Sequence, residues 1–405
     1  MRLAIVSPFP PEISGVGQYG ARVAQGLASS GAFESVTVLA NRVRLIAQNA
    51  KHAEIENLPP ISGSSADSAV RSESTVVRRV WARDWAGSSP AILGALADLA
   101  PDAIWFNLGL SVFGRSRWAN VLGLATPMLA RARGWPTVVT LHEIFEAVSL
   151  HDLGAANGRL TYLGGRAVTQ MLLRADTVCF TLRRYVAEVE RRYGAKNLAH
   201  VPVGAFDPPE FLPLPNPRRE ILIFATYAPY KGLPLLLDAF ADLQARDRDL
   251  RLTIAGGDHP RFPGYLESIR RLRGRGANIH WLGPVPEADL RALFGQSSVV
   301  ALPYMATTGA SSVIHRAAAY GRPVVVSDLP DVRAMAAEEG LWLEYVPAGD
   351  RAALARSLAD LLADRPRREA MARHNLAAMQ KMTLADTCAA YVTLFQQAVR
   401  QTLKR

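Results

Sequence analysis

The chain has 405 residues, of which 49% are hydrophobic and 20% are charged, and its formal net charge is +10. This length suits two or three domains that each bury a core, and the composition excludes a largely disordered chain. The two cysteines are too few for a disulfide scaffold, and no apolar run reaches the roughly 18 residues that a membrane span needs.

The N-terminal apolar stretch is too short for a signal peptide, so we expect a cytoplasmic protein. The positive charge favours anionic partners such as phosphorylated substrates, an anionic membrane face or nucleic acid. Arginines on solvated helix faces explain the same charge equally well. Nucleic acid is not expected, because no basic–aromatic motif accompanies the charge.

In the first half of the chain, short apolar runs alternate with amphipathic stretches. Strands are predicted at Leu3–Val6, Ser35–Leu39, Thr75–Arg79, Ala103–Phe106, Thr137–Leu141 and Thr177–Phe180, and helices at Gly17–Ser30, Pro90–Leu99, Arg159–Arg174 and Leu182–Tyr193. This alternation is typical of a parallel sheet covered on both faces. The serine-rich segment Leu58–Ser74 is predicted to be a surface loop.

The second half repeats the pattern after a linker at Asp207–Arg219, which contains five prolines. Strands are predicted at Ile221–Ala225, Arg251–Ile254, Ile279–Leu282, Val299–Leu302 and Pro323–Val326, and helices at Leu233–Ala245, Tyr265–Arg273, Glu287–Phe294 and Ser312–Tyr320. A final helix from Thr383 carries an apolar stripe that can pack on the first domain. We therefore predict two Rossmann-like, doubly wound parallel-sheet domains facing a cleft, at residues 1–205 with 384–405 and at 206–383.

In such sheets, ligands bind beyond the carboxyl ends of the strands, where helix N-termini attract anions. Gly15 and Gly17 precede the first predicted helix, where backbone could approach a phosphate, although a plain turn is an equal alternative. His142 ends a strand and so suits a cleft, but a lone histidine is more often structural. In the second domain, Lys231 lies just before a helix, where it could hold a diphosphate or be an ordinary surface lysine.

A loop crowded with small and hydroxyl residues follows the strand Val299–Leu302. It contains Thr307, Thr308, Gly309, Ser311 and Ser312. The loop opens a helix that ends at Gly321 and leads directly into the next strand, which is the layout of an anion-binding unit. Capping serines alone would explain the helix but not the number of hydroxyls.

The segment Leu108–Trp135 mixes apolar residues, a tryptophan and arginines. It could lie on an anionic membrane and admit a lipid-linked acceptor. A helix packed on its own sheet explains the apolar residues too.

In their order along the chain, several motifs resemble those of glycosyltransferase family 4, retaining enzymes of the GT-B fold. They are the first strand with its Pro- and Gly-rich loop, His142, the passage Arg183–Pro202, Phe224–Gly232, Ala255–Asp258, Leu282–Gly283 and the Gly-x-Pro-Val-Val stretch from Gly321. The resemblance implies a nucleoside-diphosphate sugar held by the C-terminal domain, an acceptor on the N-terminal domain, and no required metal. It also implies that Lys231 neutralises the diphosphate, that Gly15 and Gly17 face the same phosphates, and that His142 lies near the reacting sugar.

Two departures from the family pattern affect the predicted donor site. Thr226 stands where many members have arginine, and Thr308 and Arg316 stand where they have two glutamates, the second of which accepts hydrogen bonds from the ribose. Arginine has donors only, so it suits a phosphate or carboxylate instead. We hypothesise an unusual donor site of Thr307, Thr308, Ser311, Ser312 and Arg316. The alternatives are a non-catalytic binding or scaffold subunit and an epimerase or phosphorylase of the same fold.

Overall fold

The computed structural model describes residues 1–12, 14–42, 70–72, 75–144, 159–215, 219–274, 276, 278–307 and 309–404. These residues form two α/β units, each with its own sheet. None of the helices in these ranges combines the length and apolarity that crossing a bilayer requires.

The first sheet has eight strands in the order β3-β4-β2-β1-β5-β6-β7-β8. Its strands are β1 Arg2–Ser7, β2 Ser35–Asn41, β3 Val70–Ser72, β4 Thr75–Trp81, β5 Ala103–Leu108, β6 Thr137–Leu141, β7 Thr177–Phe180 and β8 Leu198–His200. Its helices are α1 Gly15–Ser29, α2 Ser88–Leu99, α3 Arg117–Leu124, α4 Thr126–Ala132, α5 Arg159–Leu172 and α6 Arg183–Tyr193. All pairings are parallel except that of β3 with β4, and β1, β5, β6 and β7 are buried on both faces.

The second sheet has six strands, all parallel, in the order β11-β10-β9-β12-β13-β14. Its strands are β9 Glu220–Phe224, β10 Arg251–Ala255, β11 Ile279–Gly283, β12 Val299–Leu302, β13 Val324–Ser327 and β14 Glu344–Val346. Its helices are α7 Leu233–Gln244, α8 Tyr265–Arg273, α9 Leu290–Gln296, α10 Ser312–Ala319, α11 Pro330–Glu339, α12 Arg351–Ala363 and α13 Arg365–Met379. The predicted doubly wound architecture is thus confirmed, with small shifts in the bounds.

Two sequence predictions differ from the structure in kind rather than by a residue or two. Most of Leu58–Ser74 lies outside the described residues, but Val70–Ser72 is an antiparallel edge strand rather than loop, because it pairs with β4. The predicted helix Glu287–Phe294 begins as a 3-10 turn at Glu287–Asp289, and α9 starts only at Leu290. Three-residue elements are too short to show a period in the sequence.

The last helix, α14 at Leu384–Thr402, packs on the first domain as predicted. The hydroxyl of its Tyr391 bonds to Tyr19 of α1 at 2.9 Å and to Thr140 of β6 at 2.8 Å. Just before α14, Thr383 forms a parallel bridge with Ala205, so the two chain crossings between the domains lie side by side. The capping box of Thr383 and Asp386 is present.

The proline-rich linker is fastened to the second domain by Arg322. This guanidinium is fully buried and donates hydrogen bonds to backbone carbonyls only, those of Leu212 and Pro213 in the linker, of Ser297 at 3.0 Å and of Tyr320 at 3.1 Å. Burial lowers the pKa of Arg322 to about 10, so the group is still charged at neutral pH. One charged side chain therefore orders a segment that the sequence presents as a plain linker.

Arg322→Met is expected to lower the free energy of unfolding by about 2–4 kcal/mol, because it leaves several buried carbonyls without a donor. Urea denaturation followed by circular dichroism would measure the loss. Arg246→Met, which removes an exposed arginine of the same domain, serves as the control and should leave the midpoint unchanged. Equal midpoints for both variants would contradict the fastening role.

Candidate active site

The two domains contact each other where their strands end. Gly309, in the loop after β12, has a φ of +121° and lies so close to the end of β6 that a Cβ there would overlap the carbonyl oxygen of His142. Nearby, the hydroxyl of Tyr185 in α6 donates a 2.6 Å hydrogen bond to Asp331 of α11. Glu338 of the same helix accepts hydrogen bonds from the backbone N–H groups of Arg183 and Arg184 at the start of α6. The predicted second-domain loop and the predicted histidine are therefore neighbours.

Lys231 lies in a 3-10 turn, Pro229–Lys231, between β9 and α7. Gly232, with a φ of +71°, lets this turn rest on the carbonyl of Pro303 after β12. The ammonium Nζ is 4.3 Å from the ring centre of Tyr304 and 5.5 Å from that of Tyr230. The structure thus places the lysine against the predicted anion loop and not on an open surface.

The ammonium of Lys231 is half-buried against aromatic rings. Among the described residues it makes no hydrogen bond or ion pair. Desolvation lowers the pKa of Lys231 to about 8, so the side chain is mostly charged at neutral pH. A partly desolvated charge without a partner is costly, and an anionic ligand would remove that cost.

The hydroxyl loop meets the start of α10 beside this lysine. Ser311 precedes α10, but its hydroxyl lies 3.2 Å from that of Tyr304 and makes no capping hydrogen bond to the helix. The first N–H groups of α10 are therefore open to an anion. Thr307 donates a long hydrogen bond of 3.5 Å to Asp331, and Ser312 begins the helix.

Two of the predicted threonines contribute less to this geometry. Thr308 lies outside the described residues, so its predicted role is unchanged. Thr226 is half-buried in the segment between β9 and the turn that carries Lys231.

The two glycines of the first loop lie in the first turn of α1 rather than before it, because Ser14 caps the helix and α1 begins at Gly15, two residues before its predicted start. The hydroxyl of Ser14 accepts a 3.0 Å hydrogen bond from the N–H of Gly17, and a Cβ on Gly17 would come within 2.8 Å of it. Gly17 is thus needed for the cap. Gly15 borders open space, where a ligand could approach.

Arg316 is 5% exposed and paired with carboxylates of the chain itself. Its Nη2 donates to Glu287 at 2.6 Å, and its Nε lies 3.6 Å from Asp207 of the linker. Arg22 of α1, from the other domain, contacts the same Glu287 at 2.5 Å and Asp207 at 3.1 Å. Burial opposes ionisation of Glu287, but the charges of Arg316 and Arg22 outweigh it and lower its pKa.

This four-residue cluster was not predicted. The sequence favoured an external phosphate or carboxylate for Arg316, and the structure supplies Asp207 and Glu287. Its members come from α1, the linker, the turn before α9 and α10, so no spacing in the sequence signals them. In the described ranges, no group of three or more His, Cys, Asp or Glu side chains is arranged to hold a metal ion.

Two family models match the chain, "Glycosyl transferase 4-like domain" over residues 14–204 and "Glycosyl transferases group 1" over 218–364. A phosphatidyl-myo-inositol mannosyltransferase of Mycobacterium leprae is 33% identical over 157 residues, which is 38% of this chain and 40% of that protein. The match thus spans well under half of the length of this relative.

Solved structures share the fold at low sequence identity. Sucrose-phosphate synthase from Thermosynechococcus elongatus has a TM-score of 0.74 at 16% identity and covers 98% of each chain. Anabaena HepE in complex with UDP-glucose has a TM-score of 0.67 at 16% identity and covers 100% of this chain and 99% of its own. These likenesses confirm the GT-B architecture.

Arg316→Met is expected to lower the free energy of unfolding by about 2–4 kcal/mol, because Glu287 and Asp207 then share Arg22 alone. Thermal and urea unfolding would measure it, with the exposed Arg356→Met as control. A variant with unchanged stability but weakened sugar-nucleotide binding would instead assign Arg316 to the donor.

Proposed function

This chain belongs to the family of group 1 glycosyl transferases, and from that premise we propose that it is a retaining glycosyltransferase acting on a nucleoside-diphosphate sugar. The acceptor is a carbohydrate or a lipid-linked molecule, as in polysaccharide or glycolipid assembly. The observation that carries the proposal is the half-buried ammonium of Lys231, which lies against two aromatic rings and has no carboxylate partner in the described ranges.

The diphosphate fits between Lys231 and the uncapped start of α10. The ammonium supplies a full charge, the helix N-terminus supplies free N–H groups, and Thr307 and Ser312 supply hydroxyls. Arg316 adds little attraction, because Glu287 and Asp207 neutralise it. The donor site is therefore one charge and several neutral donors rather than a pair of glutamates.

In the reaction, the bond from the anomeric carbon to a diphosphate oxygen breaks, a bond to the acceptor oxygen forms, and the proton of the acceptor hydroxyl passes to the departing diphosphate. The negative charge that develops on the leaving diphosphate is stabilised by Lys231 and the helix N-terminus. Contact between Gly309 and His142 holds the donor-binding loop against the first domain, where the acceptor would bind.

The matched relative suggests where to look for substrates first. Its name specifies a mannosyl group and phosphatidyl-myo-inositol, and another similar protein, from Mycolicibacterium smegmatis, is named as GDP-mannose-dependent. GDP-mannose with phosphatidylinositol is therefore the first pair to test. UDP-glucose is the second donor, because a structural neighbour is complexed with it.

A non-catalytic binding subunit is the second candidate, since Arg316 is engaged in a structural cluster at a position where the resemblance implies a glutamate. Incubating each labelled sugar nucleotide with extracted glycolipids and following the label separates the possibilities. Label in a new glycolipid supports transfer, and binding without product supports the subunit. Donor isomerisation or phosphate-dependent cleavage would indicate an epimerase or phosphorylase.

We also propose peripheral contact with an anionic membrane through α3. Trp118 and Leu122 lie one turn apart on this helix and are 80% and 47% exposed. Arg115 and Arg117 beside them are exposed too. Phe113, in the same predicted segment, is buried, so the segment both packs on its own domain and presents an apolar face to solvent.

Trp118→Glu is expected to weaken binding to phosphatidylglycerol vesicles about tenfold, because it removes an apolar side chain from the membrane face and adds a negative charge. Vesicle sedimentation would measure this, with phosphatidylcholine vesicles as a lipid control. Trp342→Ser, in the second domain, should bind like the unmodified protein. Equal binding by all three proteins would remove α3 from the proposal.

Lys231→Met should lower kcat/KM by about 100- to 1,000-fold, because the leaving diphosphate loses its counter-charge. Because the pKa of Lys231 is about 8, the free protein has a neutral lysine at pH 9, and diphosphate binding should take up nearly one proton there and little at pH 6.5.

Calorimetry in buffers of different ionisation enthalpy measures that proton uptake, which Lys231→Met should abolish. Lys381→Met, at an exposed lysine, should keep both the uptake and the activity. Uptake that persists in Lys231→Met would assign the diphosphate to another cation.

A further inference from the structure

His142 is held from within its own domain. It follows β6, is half-buried, and packs the edge of its ring on Tyr19 with 4.9 Å between the ring centres. Its Nε2 lies 2.6 Å from Oδ1 of Asn107, a fully buried residue of β5. The short distance indicates a hydrogen bond, which runs either from Nε2–H to the amide oxygen or, if the amide were flipped, from its NH₂ group to a bare Nε2.

The hydrogen-bond partners of Asn107 decide the direction of this hydrogen bond. Its Nδ2 lies 2.8 Å from the carbonyl oxygen of Val16 and 2.9 Å from the hydroxyl of Ser7, which itself donates to the carbonyl of Pro8 at 2.7 Å. A carbonyl only accepts, so the NH₂ group of Asn107 must face Val16. If the amide were flipped, its oxygen would face the carbonyl oxygen of Val16, and neither atom could donate a hydrogen bond. Oδ1 of Asn107 therefore faces the histidine as an acceptor.

Helix α1 packs closely on the side chains of Asn107 and Ser7 and leaves no space for the amide to reorient. A Cβ on Gly20 would lie 2.7 Å from Nδ2 of Asn107 and would overlap the hydroxyl of Ser7. Ser7 and Asn107 are both fully buried. The amide is thus fixed by close packing as well as by its hydrogen bonds.

Nε2 of His142 must then carry the proton, which leaves Nδ1 as a bare acceptor. Burial lowers the pKa of His142 to about 4, so the ring is neutral at physiological pH. The titratable neighbours are Tyr19, whose pKa is raised by burial, and Glu143, which accepts a hydrogen bond from the N–H of Leu110. In the ranges the structure covers, Nδ1 has no hydrogen-bond partner.

We propose that Asn107, fixed by Ser7 and the Val16 carbonyl, is a positioning residue that sets the Nε2–H tautomer of His142, so that Nδ1 accepts a hydrogen bond from a hydroxyl of the transferred sugar. The inference rests on the proposed function. It specifies the chemistry of the bound group, because a bare imidazole nitrogen binds a hydroxyl donor and not a phosphate or carbonyl oxygen.

Long-range ¹H–¹⁵N NMR of the histidine rings tests the tautomer in the ligand-free protein. The signals of His142 are assigned as those missing from the spectrum of His142→Gln. We expect a protonated Nε2 and an unprotonated Nδ1, unchanged down to pH 5.5. Asn107→Leu should yield a mixture of tautomers. Asn107→Asp should keep the Nε2–H form and raise the pKa of His142 through its new carboxylate. A proton on Nδ1 in the unmodified protein would overturn the proposal, whether or not either variant folds.

The hydroxyl is tested by adding UDP-glucose or GDP-mannose, whichever raises the melting temperature, and the matching nucleoside diphosphate as control. The sugar nucleotide should shift the Nδ1 resonance, and the diphosphate, which has no sugar to transfer, should not. Asn107→Leu should lower sugar-nucleotide affinity about fivefold and leave diphosphate affinity unchanged. Equal shifts with both ligands would refute the hydroxyl contact. If neither sugar nucleotide binds, the proposed function and this contact fail, and the ligand-free spectrum still decides the role of Asn107.

Discussion

The close approach of Gly309 to the carbonyl oxygen of His142 is the contact on which the site depends. It requires a residue with no side chain and a positive φ, and it brings the end of one parallel sheet against the end of the other. The hydrogen bond from Tyr185 to Asp331 and the contacts of Glu338 with the start of α6 hold the same interface. These contacts keep the turn that carries Lys231 and the imidazole of His142 at the same candidate site.

The cations of this chain, whose net charge is +10, differ in the partners they have within the protein. Arg316 and Arg22 share two carboxylates, and Arg322 is surrounded by carbonyls. Lys231 is half-buried against aromatic rings instead. In the proposed donor site, the attraction for a phosphate would therefore come from this position more than from the overall charge.

Sequence periodicity was sufficient to predict the two sheets and, with them, the residues at the strand ends. Lys231 and His142 could be placed near strand ends in this way, because in a parallel sheet the end of a strand already defines the edge where ligands bind. The same reasoning started the first helix at Gly17 rather than at Gly15, because Ser14 was not recognised as its cap.

The sequence alone could not identify residues whose roles depend on tertiary contacts. Asn107 lies inside a strand that reads as continuous core, and Asp207 and Glu287 lie in segments that read as linker and helix. Their roles depend on partners distant in the sequence, and pattern analysis of one chain contains no such information. The domain bounds and the role of Thr308 stay predictions.

Helix α1 connects two of these features. Its Val16 carbonyl binds Asn107, and its Arg22, six residues and about 9 Å further along the helix axis, binds Glu287 of the other domain. Any change in the angle between the domains that displaced Arg22 would therefore also strain the contact of α1 with the amide that orients the imidazole. The domain contact at Arg22 and the hydrogen bond of the imidazole thus share one helix, in addition to the direct contact of Gly309 with the carbonyl of His142.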